Sequence, residues 1–286
     1  MKELCITLGG FSLGLSSPLD LKVGEELVPF LTSRTPELRL EVRPQAPIPV
    51  PEGPEIGEDL LLHYFQEGED TIAQSGGRFG PVSSARLRPG APDLQLLVND
   101  RDYPGVFLDW GKALQLFPLR RPLLERGAFF LHASQAALGD LGVLFTAPSG
   151  TGKTTQAHLW RDVLGARLVC NDRAVLRREE DGWRGWSFPV DGDEPAPPGG
   201  SARVAAVVLL EQAPEERLER LRPAAALPGI LSQSIADPWD PASMTRLKLL
   251  CAELTARVPV YRLACRPVPE AALLLRERLR KDGAMP

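Results

Sequence analysis

Cysteine, histidine and methionine are all scarce in this chain, and each scarcity removes a class of chemistry. The four cysteines, Cys5, Cys170, Cys251 and Cys265, form no CxxC pair and sit inside apolar segments. The expected reading is therefore reduced core thiols, with no dithiol or zinc motif. No apolar run approaches the ~20 residues that span a bilayer, so no membrane helix is expected. Excess basic charge is missing too: 33 Lys and Arg stand against 37 Asp and Glu, a formal net charge of -4. A general attraction to nucleic acid or anionic lipid is thus excluded, and neither is an expected partner. The opening "MKELCITLGGFSLGLSSP" lacks the continuous apolar core of a secretory leader, because Glu3, Thr7, Ser12 and the glycines interrupt it. A first strand and a cytoplasmic location are expected instead. There is no internal repeat.

What is present is an ordinary globular composition, 43% hydrophobic and 24% charged over 286 residues, a length that suits two modest domains. Residues 1–124 read as short strands between Pro/Gly turns: "LRLEVRPQ" alternates, "HYFQEGEDTIAQSGGRF" forms a hairpin, and "SARLRPGAPDLQLLVND" forms another strand pair. The proline-dense "PQAPIPVPEGPE" cannot donate ladder hydrogen bonds regularly and reads as an extended connection. From residue 125 to 286, strands interleave with helices. "FFLHASQAAL", "GVLFTA", "ARLVC", "AVLRREEDGWRGWSF" and "ARVAAVVLLEQ" have strand character. "KTTQAHLWRDVL" has helical spacing, with Leu159, Trp160, Val163 and Leu164 expected on one side. The tail reads helix, helix, strand, helix. The expected fold is an α/β domain preceded by a smaller β-rich domain.

Between a strand and a helix lies A-P-S-G-T-G-K-T, Ala147 to Thr154, one position away from the phosphate-loop pattern G-x-x-x-x-G-K-[ST]. A loop short of side chains lets backbone N–H groups curl around phosphates, and the following helix N-terminus favours their charge. Pro148, Ser149, Gly150, Thr151, Gly152, Lys153, Thr154 and Thr155 are the expected nucleotide-binding residues. Gly150 and Gly152 permit close approach, Lys153 places a charge on the β and γ phosphates, and Thr154 offers its hydroxyl to Mg²⁺. Ala147 in place of the first glycine requires a negative φ there. The expected ligand is a nucleoside triphosphate.

Three stretches in order, "FLHAS" with His132, "APSGTGKTTQAHLW" and "CNDRAVL" with Asn171 and Asp172, resemble the HPr kinase and phosphoenolpyruvate carboxykinase superfamily. The resemblance is closest to small bacterial HPr-kinase-related proteins, some of which accompany peptide-modifying enzymes. It covers 125–212 well, the C-terminal helices weakly and 1–124 hardly at all. It implies a P-loop kinase domain that binds ATP with Mg²⁺ and moves the γ-phosphoryl group to a hydroxyl. The acceptor is a Ser or Thr of a peptide or protein, with a small-molecule hydroxyl left open. It further implies Asp172 as the base, His132 beside it, and Asn171 in place of the first of two acidic residues. Asn171 and Asp172 join Thr154 as the metal set, and homo-oligomers are implied as well.

Carboxykinase chemistry is not the expected activity, since enzymes of that type are much longer and no second cluster of metal ligands and arginines is seen in the sequence. A nucleotide-binding regulatory module without phosphoryl transfer is the rival reading, favoured by the uncharged Asn171. In "WSFPVDGDEP", Asp191, Asp193 and Glu194 offer a further acidic loop. His63 is expected in a strand without partners, His158 on a helix surface, and Trp183 and Trp186 on opposite sides of one strand.

Overall fold

The computed structural model describes residues 3–189 and 200–286, so Asp191, Asp193 and Glu194 lie outside the described residues. The chain divides into two compact units, Met1–Glu125 with Pro238–Pro241, and Arg126–Asp237 with Ala242–Pro286. Among the described residues no helix is long and apolar enough to cross a membrane. The architecture is mixed α/β with two large sheets.

Unit 1 is built on β1 (Glu3–Leu8), β2 (Phe11–Ser16), β3 (Leu38–Pro44), β4 (Glu55–Glu58), β5 (His63–Glu67), β6 (Asp70–Ser75), β7 (Ser83–Leu87) and β8 (Asp93–Val98). They form one sheet in the order β1-β2-β3-β8-β7-β6-β5-β4, parallel at β2–β3 and β3–β8 and antiparallel elsewhere. Alternation drives it: in β3, Leu38, Leu40 and Val42 are buried while Arg39 and Arg43 face water. The proline-dense connection spans the gap between β3 and β4 and bonds to the sheet through its backbone at its ends, where the Gln45 N–H donates to the Val98 carbonyl at 2.8 Å and the Pro54 carbonyl accepts from the Gln66 N–H at 3.0 Å. The expected β-rich unit also carries two short helices, α1 (Trp110–Leu116) and α2 (Arg120–Leu124), that the sequence reading did not place. The signal for α1 was legible, since Asp109 caps it by accepting from the Lys112 N–H at 2.8 Å.

The expectation that His63 has no partners is wrong. Its Nδ1 lies 2.7 Å from Glu55 Oε1 and 3.7 Å from Glu58 Oε2, because β4 pairs with β5 and places Glu58 directly across from it. Cross-strand neighbours of this kind are invisible in a linear reading.

Unit 2 contains β9 (Ala128–Leu138), β10 (Leu141–Thr146), α3 (Lys153–Leu164), β11 (Arg167–Cys170), β12 (Arg173–Glu179), β13 (Gly182–Trp186) and β14 (Ser201–Gln212). These are followed by β15 (Arg217–Leu221), α4 (Pro223–Gln233), α5 (Pro241–Arg257), β16 (Val260–Cys265) and α6 (Pro269–Lys281). The sheet order is β10-β9-β12-β13-β14-β16-β15, and β10 also pairs with β14, so the path from β10 through β9, β12, β13 and β14 closes on itself. Around it, α3 and α6 pack over Phe145, Trp160, Val208, Leu263 and Leu275.

The face that α3 buries is rotated from the expected one. Lys153, Gln156, Ala157 and Trp160 are buried, Leu159 and Leu164 are partly so, and Val163 is exposed. Trp160 sets the rotation by packing edge-on against Phe145 at 5.9 Å. Trp183 is buried against Phe129, whereas Trp186 is half-buried and donates from Nε1 to Glu179 Oε1 at 3.1 Å. The four cysteines are thiols outside any disulfide; three are buried and Cys5 is half-buried.

One polar side chain in this core restricts its neighbours. Gln135 on β9 is fully buried and donates from Nε2 to the Ala202 carbonyl at 3.4 Å. A Cβ on Gly142 would stand 2.4 Å from its Nε2, and one on Gly185 2.4 Å from its Oε1. The two glycines thus form the slot that the amide occupies.

Gly185→Ala should destabilise unit 2 by about 1–3 kcal/mol through overpacking. Adding Gln135→Ala should recover part of that loss, and denaturant unfolding of the two single variants and the double variant reads the non-additivity. Additive losses would show that the slot does not exist.

In unit 1, the Glu55 hydrogen bond raises the pKa of His63 above the ordinary 6.5. A raised value means that the pair stabilises the fold below the unfolded pKa and that this contribution fades as pH rises through the folded one. A proton NMR titration of His63 should therefore show a midpoint above 6.5, moving down in Glu55→Gln.

Candidate active site

The site is built where β9, the β10–α3 loop and the β11–β12 turn meet. β9 takes β10 along one edge from Ala133 to Leu138. On its other edge β11 pairs opposite Gln135–Ala137, and β12 pairs opposite Ala128–His132. β11 and β12 would be one continuous strand but for a break at Asn171 and Asp172. The Asp172 carbonyl still accepts from the Ala133 N–H at 3.0 Å. The Asn171 carbonyl accepts instead from the Ser134 hydroxyl. His132 and Ser134, two apart on β9, share a face, so both face this break.

Asp172 meets His132 there, with Oδ1 2.9 Å from Nε2. The hydrogen bond from His132 is the main reason the Asp172 carboxyl is held below its ordinary range; partial burial opposes it, and the charges of His132, Arg173 and Lys153 assist. Arg173 Nε lies 3.7 Å from Asp172 Oδ2.

β10 runs buried to Thr146, whose hydroxyl donates to the His132 carbonyl at 2.8 Å and so ties the start of the loop to β9. Ala147 is buried, and among the described residues only glycines take positive φ, so the alanine fits without strain. Gly150 and Gly152 have φ of 76° and 111°, a conformation that side chains resist, and nothing lies within 4 Å of a Cβ built on either. Pro148, Ser149 and Gly150 are exposed, Thr151 and Gly152 half so. Lys153 starts α3 and is 6% exposed; its Nζ donates to the Ala147 carbonyl at 3.0 Å and the Pro148 carbonyl at 3.4 Å. Burial pulls its pKa down, against the attraction of Asp172. Thr154 Oγ1 stands 3.5 Å from both Ser134 Oγ and the Asn171 carbonyl, while Thr155 is exposed.

The structure therefore brings together Lys153, Thr154, Asn171, Asp172 and His132. Ser134 joins them although the sequence reading passed over it; its two-residue spacing from His132 on a strand was the available signal. Beside His132 and Asp172 opens a cleft of about 320 Å³, whose other wall is Ser232 to Ile235 at the end of α4. That wall is held by the Ile235 N–H, which donates to the Phe130 carbonyl at 3.0 Å. His158, half-buried on α3, and His63, in unit 1, take no part.

These groups fit a phosphate chain with a divalent cation. Backbone opened by two left-handed glycines, a buried ammonium, a hydroxyl 3.5 Å from the Asn171 carbonyl and a carboxylate on the next residue are the groups that such a pair needs.

No protein-family model and no curated protein matches the chain. Among solved structures it is similar to the HPr(Ser) kinase/phosphatase from Coxiella burnetii, with 16% identity over 54% of this chain and 95% of that one, at a TM-score of 0.31. So distant a likeness carries no chemistry across to this chain.

The cause of the Asp172 shift is open to direct test. A depressed folded pKa means that ionised Asp172 contributes stability above the unfolded value, lost as pH falls through the folded one. Carbonyl ¹³C NMR should place the Asp172 midpoint below 3.8. In His132→Ala it should rise, because the burial that opposes the shift remains; an unmoved midpoint would assign the shift to another group.

Proposed function

We propose that unit 2 is an ATP- and Mg²⁺-dependent kinase that transfers the γ-phosphoryl group to a hydroxyl, the acceptor class being Ser or Thr of a peptide or protein. The observation that carries this reading is the placement of the Asp172–His132 pair at the rim of the loop that holds Lys153 and Thr154. In a bare phosphate-binding turn, a carboxylate beside the loop would only repel the ligand.

In this reading the backbone of Pro148 to Gly152 cradles the phosphates. Lys153 leaves the Ala147 and Pro148 carbonyls to neutralise charge on the β and γ groups. Thr154, Asn171 and Asp172 would hold Mg²⁺, which would supply charge neutralisation there. The acceptor hydroxyl enters through the cleft beside Ser232 to Ile235. As its oxygen bonds to the γ phosphorus, its proton passes to Asp172, and the bond from phosphorus to the β–γ bridging oxygen breaks to release ADP. His132 keeps the Asp172 carboxylate oriented and ionised until that moment. Catalysis comes mostly from positioning and charge stabilisation.

Unit 1 holds none of the phosphate-binding residues, and we assign it the selection of the acceptor. The four unbridged cysteines suit a reducing compartment, which agrees with a cytoplasmic kinase. A second reading, a nucleotide-dependent switch without transfer, is favoured by one observation: the buried Asn171 brings an amide and no charge to the metal side of the site.

Two measurements on three proteins decide between them. Wild type should gain thermal stability with MgATP and release ADP only when a hydroxyl acceptor is supplied from Ser/Thr peptides or polyols. Asp172→Asn should retain most of the thermal shift, because Thr154, Asn171 and the new amide oxygen still face the metal, while transfer falls by about 10²-fold or more. Lys153→Ala should lose the shift. ATP binding without acceptor-dependent ADP release would leave the switch. An Asp172→Asn variant with wild-type turnover but no Mg²⁺-dependent binding would make Asp172 a metal ligand only.

A further inference from the structure

The phosphate loop has a second cleft, on the flank away from Asp172. β10 pairs with β9 on one edge and with β14 on the other, and β16 lies beyond β14. The acceptor-side cleft opens on the β9 flank. On the β14 flank a larger one, about 580 Å³, runs from Gly150, Thr155 and Gln156 to Glu211 and Gln212 at the end of β14 and to Pro214 and Arg266 just past β14 and β16.

Its charged groups are already matched. Arg266 is held by Glu216 through two contacts, at 2.9 and 3.2 Å, and Glu211 lies 3.0 Å from Arg262. Gln212 donates from Nε2 to the Gly150 carbonyl at 3.3 Å, which fixes this wall to the phosphate loop itself. What remains is apolar surface from Leu210, Pro214 and Pro267, and one polar group that is out of place. Gln156, in the first turn of α3, is 3% exposed and donates from Nε2 to Cys265 Sγ at 3.2 Å. Its Oε1 is buried without a hydrogen-bond partner among the described residues. A buried amide oxygen left unpaired costs stability, and such a group in a cleft wall points to a ligand that donates to it.

We propose that this cleft receives the nucleoside end of the nucleotide, with base and ribose against Leu210, Pro214 and Pro267 and an N–H or O–H donated to Gln156 Oε1. This deepens the kinase reading and rests on nucleotide binding at the loop. A flat, neutral, hydrogen-bond-donating group suits walls whose ions are paired, whereas a second anion does not. The phosphate chain then runs from the β14 flank toward the β9 flank, presenting its last phosphorus to the acceptor side.

Hydrogen exchange of the full chain with MgATP, and separately with magnesium tripolyphosphate, tests it. Both ligands should slow exchange at 149–154, and MgATP alone should also slow 210–213 and 264–266. Gln156→Met, which keeps the shape and removes the acceptor, should weaken ATP about three- to tenfold while changing tripolyphosphate affinity by less than about twofold. Equal exchange at 210–213 with both ligands would overturn the proposal, as would ATP-specific protection at 232–235. Absence of protection at 149–154 with either ligand would overturn the nucleotide reading itself and this inference with it. Were Gln156→Met to misfold, the comparison on wild type still decides.

Discussion

The backbone of β9 has to be satisfied along both edges, and most of unit 2 is arranged by the way this is done. Its second half lies between β10 and β11, and its first half between β12 and a single bridge from Leu131 to Ser234. Where the partner on one edge changes from β11 to β12, the ladder skips, and the freed Asn171 carbonyl needs another donor. Ser134 supplies it from the same face that carries His132. One backbone discontinuity thereby fixes the Asp172 carboxylate, its histidine partner and the wall that faces Thr154.

The charged residues divide into two kinds of environment. Outside the site they are mostly neutralised in place: Arg184 between Asp140 and Glu179, Arg86 and Arg88 on Asp70, Arg266 on Glu216. Each of these pairs keeps at least one partner partly open to water, where ion pairs add little stability individually. Lys153 is treated differently, since its ammonium is buried against two backbone carbonyls that satisfy hydrogen bonds without cancelling charge. A cation kept in that state has its field available for an anion at the loop before α3.

The parts of this architecture that were legible in the sequence are those specified locally. The run from Ala147 to Thr155 carries its loop in glycine and hydroxyl content, and β9, β10 and β14 are long enough in apolar residues to read as strands. The polar "RLERL" of β15 was passed over because its order comes from pairing with β16 and not from its own composition. α2 escaped notice because a five-residue helix with a proline inside it has no periodicity to detect. The same limit applies to the site. His132, Lys153 and Asp172 sit in recognisable runs, but Gln156 and Arg266 become neighbours of one cleft only through sheet order, and His63 finds Glu55 only across a strand pair.

The four residues Pro238–Pro241 belong to the first unit although they lie more than a hundred positions after its main stretch. Trp239 packs there on Tyr64, with ring centroids 4.8 Å apart. The polypeptide therefore passes from one unit to the other three times, after Glu125, after Asp237 and after Pro241. This makes the halves poor candidates for exchange by simple fusion or gene rearrangement. A segment cut at a single junction would leave an indole without its aromatic partner, and a transplanted first half would lack the ring that completes its own interior. No single cut in the chain separates the two units with each left whole, whatever each of them binds.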